Sequence, residues 1–251
     1  MTEIVLTQQF CGPPNSGNGG YVCGLMAAAL DGPVTAVLRA PPLLNTPLFL
    51  KAYEGGVRLE NAAGELIGEA RPGDSAILPT PPAPPSLAAA TAAGQRFPGL
   101  ERPFHPICFT CGDRLDEGYG LRVFTGQLAG AEPGVVAGPW TPHPAFDDGS
   151  GLAPIAVIWA ALDCPGSVSW VVTGGGGGLL GTMTCQILRR PAIGEACIVV
   201  AWPLEASGRK RISGTALFTA TGELLAHSHQ VWIGRPMVAE GVRQEAATTQ
   251  A

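Results

Sequence analysis

NGGYVCGLMAAALDG (residues 18–32) and GLAPIAVIWAALDCPG (residues 151–166) are the two stretches on which the fold turns. Each follows a glycine-rich turn, runs apolar, and reaches the string Ala-Leu-Asp: Ala29-Leu30-Asp31 and Ala161-Leu162-Asp163. Residues 24–30 and 152–162 carry no charge. A helix without a polar face has to be wrapped by protein on every side. The pattern predicts two apolar helices, ending at Asp31 and Asp163, each enclosed by a curved antiparallel sheet.

The flanking sequence repeats in the same order. RAPPLLNTPLFL (residues 39–50) matches RRPAIGEACIVV (residues 189–200), and LENAAGELIGEA (residues 59–70) matches LFTATGELLAHS (residues 217–228) with Gly-Glu-Leu in register. Three ordered matches point to internal duplication. Strands are expected at 35–39, 47–53, 57–60 and 66–70 in the first repeat, and at 179–188, 196–204, 211–219 and 224–233 in the second. Hairpin glycines at Gly55, Gly64, Gly208 and Gly222 separate them. Between the repeats, residues 71–103 hold eight prolines and one alanine-rich stretch, with Ser86 placed to cap a short helix over 87–94. The remainder of that segment is expected to be an extended connector. The division is residues 1–72, a first repeat; 73–103, the connector; 104–236, a second repeat; and 237–251, a tail. The fold class is α+β.

Composition excludes several functions. The 251 residues carry a net charge of −5, and the thirteen Arg and two Lys are scattered, so there is no basic field for a nucleic acid. The longest apolar run is 11 residues, against about 20 for a membrane span. The N-terminal MTEIVLTQQF has no signal-type pattern, and seven cysteines are an odd number. Both favour free, buried thiols and a cytoplasmic location.

At this point the sequence resembles the hotdog-fold, thioesterase-like proteins, as a tandem member. HPICFTCGDRLDEGYGLRVF (residues 105–124), WAALDCPG (residues 159–166) and LLGTMTCQILRRPAIGE (residues 179–195) carry the resemblance. It implies a double hotdog: two antiparallel sheets, each around a central helix, whether or not they join into one. It further implies hydrolysis of an acyl thioester on coenzyme A or a carrier, bound between the repeats. Coenzyme A would be part of the substrate, with no separate cofactor. A homo-oligomer, a dimer of double hotdogs, is expected.

Candidate residues follow from that chemistry. Asn18-Gly19-Gly20 stands where the family often has His-Gly-Gly, and helix-start N–H groups there favour a developing oxyanion; turn and cap roles are the plainer alternative. Asp147 and Asp148, in Asp-Asp-Gly149-Ser-Gly151, offer a general base, with a cap and turn as the alternative. His143 is a nearby proton shuttle. Trp159 and Asp163 are assigned to substrate binding with Gly19, Gly20, Gly149 and Gly151, although a hydrogen bond to the next turn is the simpler role for Asp163. Active members carry an acid in or beside the helix, yet residues 23–30 and 155–162 contain none. A non-catalytic acyl-CoA binder is therefore the alternative, and a dehydratase using His143 and Asp147 ranks third. His105-x-x-Cys108-x-x-Cys111 has zinc-like spacing but lacks a fourth ligand unless His143 supplies it, so no metal is assigned. The five glycines at 174–178 lack a nucleotide-loop context and are expected to form a hairpin loop after a strand at 168–172. His227 and His229 alternate on one strand and are expected at a surface.

Overall fold

The computed structural model describes residues 1–234; the expected tail at 237–251 lies outside the described residues. Eleven strands and three α-helices are present among them. The strands are β1 (Thr2–Val5), β2 (Val34–Leu38), β3 (Pro47–Tyr53), β4 (Gly56–Asn61), β5 (Leu66–Pro72), β6 (Gly126–Gln127), β7 (Val136–Trp140), β8 (Gly178–Ile187), β9 (Cys197–Ser207), β10 (Lys210–Thr219) and β11 (Leu224–Gly234). The helices are α1 (Gly19–Ala27), α2 (Leu87–Gly94) and α3 (Ile155–Val171).

All eleven strands form one continuous antiparallel sheet rather than two separate ones. Its centre is the β2–β8 pair, where residues 34–37 meet 182–185 and the Thr35 and Thr184 hydroxyls lie 2.8 Å apart. Outward from that seam the order is β2-β5-β4-β3-β1 on one side and β8-β11-β10-β9-β7-β6 on the other. The two halves share details as fine as a turn. Asn61 N–H donates to Glu65 O (3.0 Å) and Gly64 N–H to Asn61 O (3.0 Å); Thr219 N–H donates to Glu223 O (2.9 Å) and Gly222 N–H to Thr219 O (3.0 Å). Both turns need a left-handed glycine, Gly64 at φ 80° and Gly222 at φ 93°. A register shift precedes each, at Leu59/Glu60 and Leu217/Phe218. The matched Gly-Glu-Leu strings are thus the same bulged hairpin built twice.

The central helices depart from expectation. α3 does not end at Asp163 but continues to Val171, so the expected strand at 168–172 is helix. The glycines at 174–178 join that helix to β8. Pro165-Gly166 suggested a stop because proline removes a helical N–H and crowds the preceding turn. Here tertiary bonds satisfy carbonyls beside the interruption: Thr110 Oγ1 donates to Ala160 O (2.8 Å), and Gln230 Nε2 donates to Leu162 O (2.7 Å). Gln230 is itself held in a buried polar cluster with Ser228, Thr215 and Trp232.

α1 and α3 cross closely. A Cβ on Gly20 would come 2.6 Å from Asp163 Cβ, and one on Gly24 would come 2.5 Å from Ala156 Cα. Gly20 meets Ala160 and Gly24 meets Ala156, so the helices run antiparallel through small residues on both sides. In this crossing Gly20 is the counterpart of Ala156 and Gly24 of Ala160. Asp163 is then the counterpart of Ala27, one helical turn before Asp31, and the two Ala-Leu-Asp strings are not structurally equivalent.

The proline-rich segment is more than a spacer. Ser86 Oγ caps α2 by accepting from Ala89 N (3.2 Å), as its sequence predicts. Ala90 and Ala93 then pack on Ile198, Val200 and Phe218. These face away from the neighbours that pack with α3, such as Val199 and Leu217. β9 is therefore covered on both faces, which explains its unbroken apolar run 197–202. Replacing Gly24 with Ala is expected to lower stability by about 1–3 kcal/mol, the usual cost of overpacking. An unchanged denaturation midpoint would contradict the close crossing.

Candidate active site

The loop at 11–18 delivers Asn18 to the start of α1. Its side chain serves three partners at once. Oδ1 accepts from Tyr21 N (2.9 Å), which makes Asn18 the N-cap. Nδ2 donates to Thr110 Oγ1 (3.1 Å) and approaches Cys108 Sγ (3.8 Å). Asn18 is buried, so this is a fixed interior arrangement rather than a surface turn.

Asp163 projects from the middle of α3 into the same place. Its Oδ2 accepts from Gly20 N (3.0 Å), so it binds the N-terminal turn of the opposite helix. Its Oδ1 is buried and has no hydrogen-bond partner. Burial pushes this carboxyl up to about 7, against the pull of the Gly20 N–H. A buried carboxylate oxygen without a partner is costly and marks a site with work beyond packing. The residues missing from the sequence reading are Thr110 and Cys164; Asp163 is assigned there to substrate binding at the end of a helix, not to a place inside one. Asp163-Cys164 sits at the end of the apolar run, and only the continuation of α3 past Pro165 turns that pair inward.

These groups lie along one groove of about 2330 Å³. Asn18, Gly19, Asp163, Cys164 and Cys108 line it, together with Trp170, Trp232, the 174–177 loop and the start of β8. Gly20 backs Asp163, and Trp159 is buried behind it, against Gly24. The other candidates are elsewhere. Asp147 Oδ1 accepts from Gly149 N and Gly151 N (both 2.9 Å), and Asp148 Oδ1 accepts from Ser150 N (3.0 Å). The Ser150 bonds, helped by Arg190, hold the exposed Asp148 carboxyl below its usual range. His143 caps a short 3-10 turn by accepting from Ala145 N (3.1 Å) and lines a separate cavity of about 390 Å³ with Phe146 and Trp140. The structure therefore groups Asn18, Gly19, Gly20, Trp159 and Asp163, and sets Asp147, Asp148, Gly149, Gly151 and His143 apart from them. His227 lies beneath the proline-rich segment, its Nδ1 3.5 Å from Pro79 O.

Against solved structures, the chain shares its fold with hotdog proteins bearing thioesterase names. A structure from Novosphingobium aromaticivorans DSM 12444, provisionally named a thioesterase, aligns over 93% of this chain and 94% of its own, with a TM-score of 0.61 and 16% identity. A tesB protein from Mycobacterium avium subsp. paratuberculosis aligns over 90% of each chain, with a TM-score of 0.58 and 14% identity. A hot dog fold protein of unknown function from Alicyclobacillus acidocaldarius aligns over 94% of this chain and 93% of its own, with a TM-score of 0.57 and 16% identity. No protein-family profile and no curated protein sequence matches significantly. Among the described residues, no helix is long and apolar enough to cross a membrane.

Two substitutions separate the structural duties of this site. Asn18→Ala removes the cap and the bond to Thr110, and is expected to cost at least about 1 kcal/mol. Asp163→Asn keeps an acceptor for Gly20 N–H and removes a buried charge, so its melting temperature is expected to equal or exceed that of the parent at pH 8. A fall of several degrees would show Asp163 to be mainly a structural bond.

Proposed function

We propose that this protein hydrolyses an acyl thioester, carried on coenzyme A or a carrier protein, in the groove lined by the N-terminus of α1 and the second half of α3. The two mirrored halves, 1–72 and 104–236, are in this reading the two repeats of a double hotdog linked by 73–103. The observation that carries the proposal is Asp163: a buried acid inside the central helix beside the groove, one oxygen held by the opposite helix and the other buried without a hydrogen-bond partner.

The residues suit each step. The N–H of Gly19, at the first helical position, has no intrahelical acceptor, and Gly19 lines the groove. It serves as the donor to the thioester carbonyl, strengthening as negative charge develops on oxygen. Asp163 Oδ1 accepts a proton from water as the water oxygen bonds to the carbonyl carbon. The tetrahedral intermediate then collapses, the carbon–sulfur bond breaks, and the departing thiolate takes the proton back from Asp163. A carboxyl pushed up to about 7 is matched to both transfers near neutral pH. The acid absent from residues 155–162 stands at position 163 because α3 runs on. That placement supports the catalytic reading over a binding-only protein.

The test is a panel of short, medium, long and aromatic acyl-CoA thioesters, with released thiol measured against a protein-only blank. Hydrolysis of at least one is expected. Asp163→Asn should lower kcat by about 100-fold or more, the usual contribution of a positioned acid–base group, while Asp148→Ala should leave it unchanged. No turnover across the panel, or an active Asp163→Asn, would overturn the proposal.

A further inference from the structure

Cys108, Cys111 and Cys164 come together at the groove wall. The first two belong to one tight turn, in which Gly112 N–H donates to Cys108 O (2.7 Å) and Cys108 N–H donates to His105 O (2.9 Å). The third comes from α3, 53 positions further along the sequence than Cys111. Their sulfurs all lie within 4.8 Å of one another, and Cys108 Sγ is 3.6 Å from Cys164 Sγ. Zinc–sulfur bonds of about 2.3 Å at tetrahedral angles set sulfurs about 3.8 Å apart; the Cys108–Cys164 separation is close to that, and the third sulfur is within reach of both. All seven cysteines are free thiols, and these three line the groove.

We propose that Cys108, Cys111 and Cys164 bind a zinc ion as three thiolates, with the fourth coordination position open to the groove. Thiolate ligands select soft or borderline cations over magnesium or calcium. As each zinc–sulfur bond forms, the thiol proton leaves to solvent. Asn18 Nδ2 lies 3.8 Å from Cys108 Sγ, the kind of outer-shell donor that steadies a ligand. The Cys-x-x-Cys spacing is visible in the sequence, but the third ligand is not, because it depends on α3 continuing beyond Asp163. His143, which the His105-x-x-Cys108-x-x-Cys111 reading would need as its fourth ligand, lines the other cavity.

The experiment uses the full chain, reduced and stripped with a chelator. Zinc is titrated in competition with a chromophoric chelator, and cobalt(II) is then substituted for spectroscopy. One equivalent per chain is expected, with a thiolate-to-cobalt charge-transfer band in the near ultraviolet. Cys164→Ser should weaken binding at least 100-fold, while Cys185→Ser, a buried thiol on β8, should not change it. Because the cobalt spectrum is taken on the unmutated chain, it stands even if a variant folds poorly. Sub-stoichiometric zinc, a cobalt spectrum without thiolate bands, or equal weakening by both variants would overturn the proposal. None of these readouts depends on thioester hydrolysis.

Discussion

Helices α1 and α3 approach to a distance that leaves no room for a side chain at Gly20 or Gly24. That contact sets the rest of the molecule. It lets Gly20 N–H reach a carboxylate from the other helix. It brings the N-terminus of α1, with the Gly19 N–H free of intrahelical bonding, beside a groove, and it buries Trp159 against Gly24. The same closeness explains the scarcity of charge: two helices packed on each other and wrapped by sheet have almost no solvated face. The one acid in α3 is consequently conspicuous. It is kept in the interior although desolvation works against it, and only one of its oxygens is satisfied.

The two halves share a common frame of strands and differ in their helices. The bulged hairpins at Asn61–Glu65 and Thr219–Glu223 make the same backbone bonds, and the strand order mirrors itself about the β2–β8 seam. Yet α1 is nine residues and α3 is seventeen. Asp163 stands where α1 ends at Ala27, and the extra turns of α3 carry Cys164 and the proline. The second half also receives α2 on its outer face, which leaves β9 buried from both sides. One half therefore contributes a helix N-terminus and the other contributes the acid and a thiol, and the groove is complete only with both.

Much of the architecture was legible in the residues. The hairpin glycines delimited eight strands to within a few positions, and Ser86 marked α2. Those features are local: a glycine at positive φ or a serine cap acts within four residues. The end of α3 was not legible, because Pro165-Gly166 is a stop signal unless Thr110 and Gln230 supply hydrogen bonds from distant segments. A helix ended at 163 makes Asp163 terminal and leaves Cys164 outside it, so the sequence offers as the source of a base the Asp147-Asp148 loop, whose carboxylates are occupied by their own backbone. Asn18, Gly19 and Gly20 were legible because a capping residue followed by glycines has meaning on its own.

The central claim is that the α1–α3 crossing makes one acyl thioester site from the Gly19 N–H and Asp163. A crystal structure with a non-hydrolysable thioether analogue of an acyl-CoA tests it most directly. The account predicts the analogue's carbonyl oxygen about 3 Å from Gly19 N, with a water on Asp163 Oδ1. An analogue seated in the cavity beside His143, or in the groove with its carbonyl turned away from α1, would contradict it.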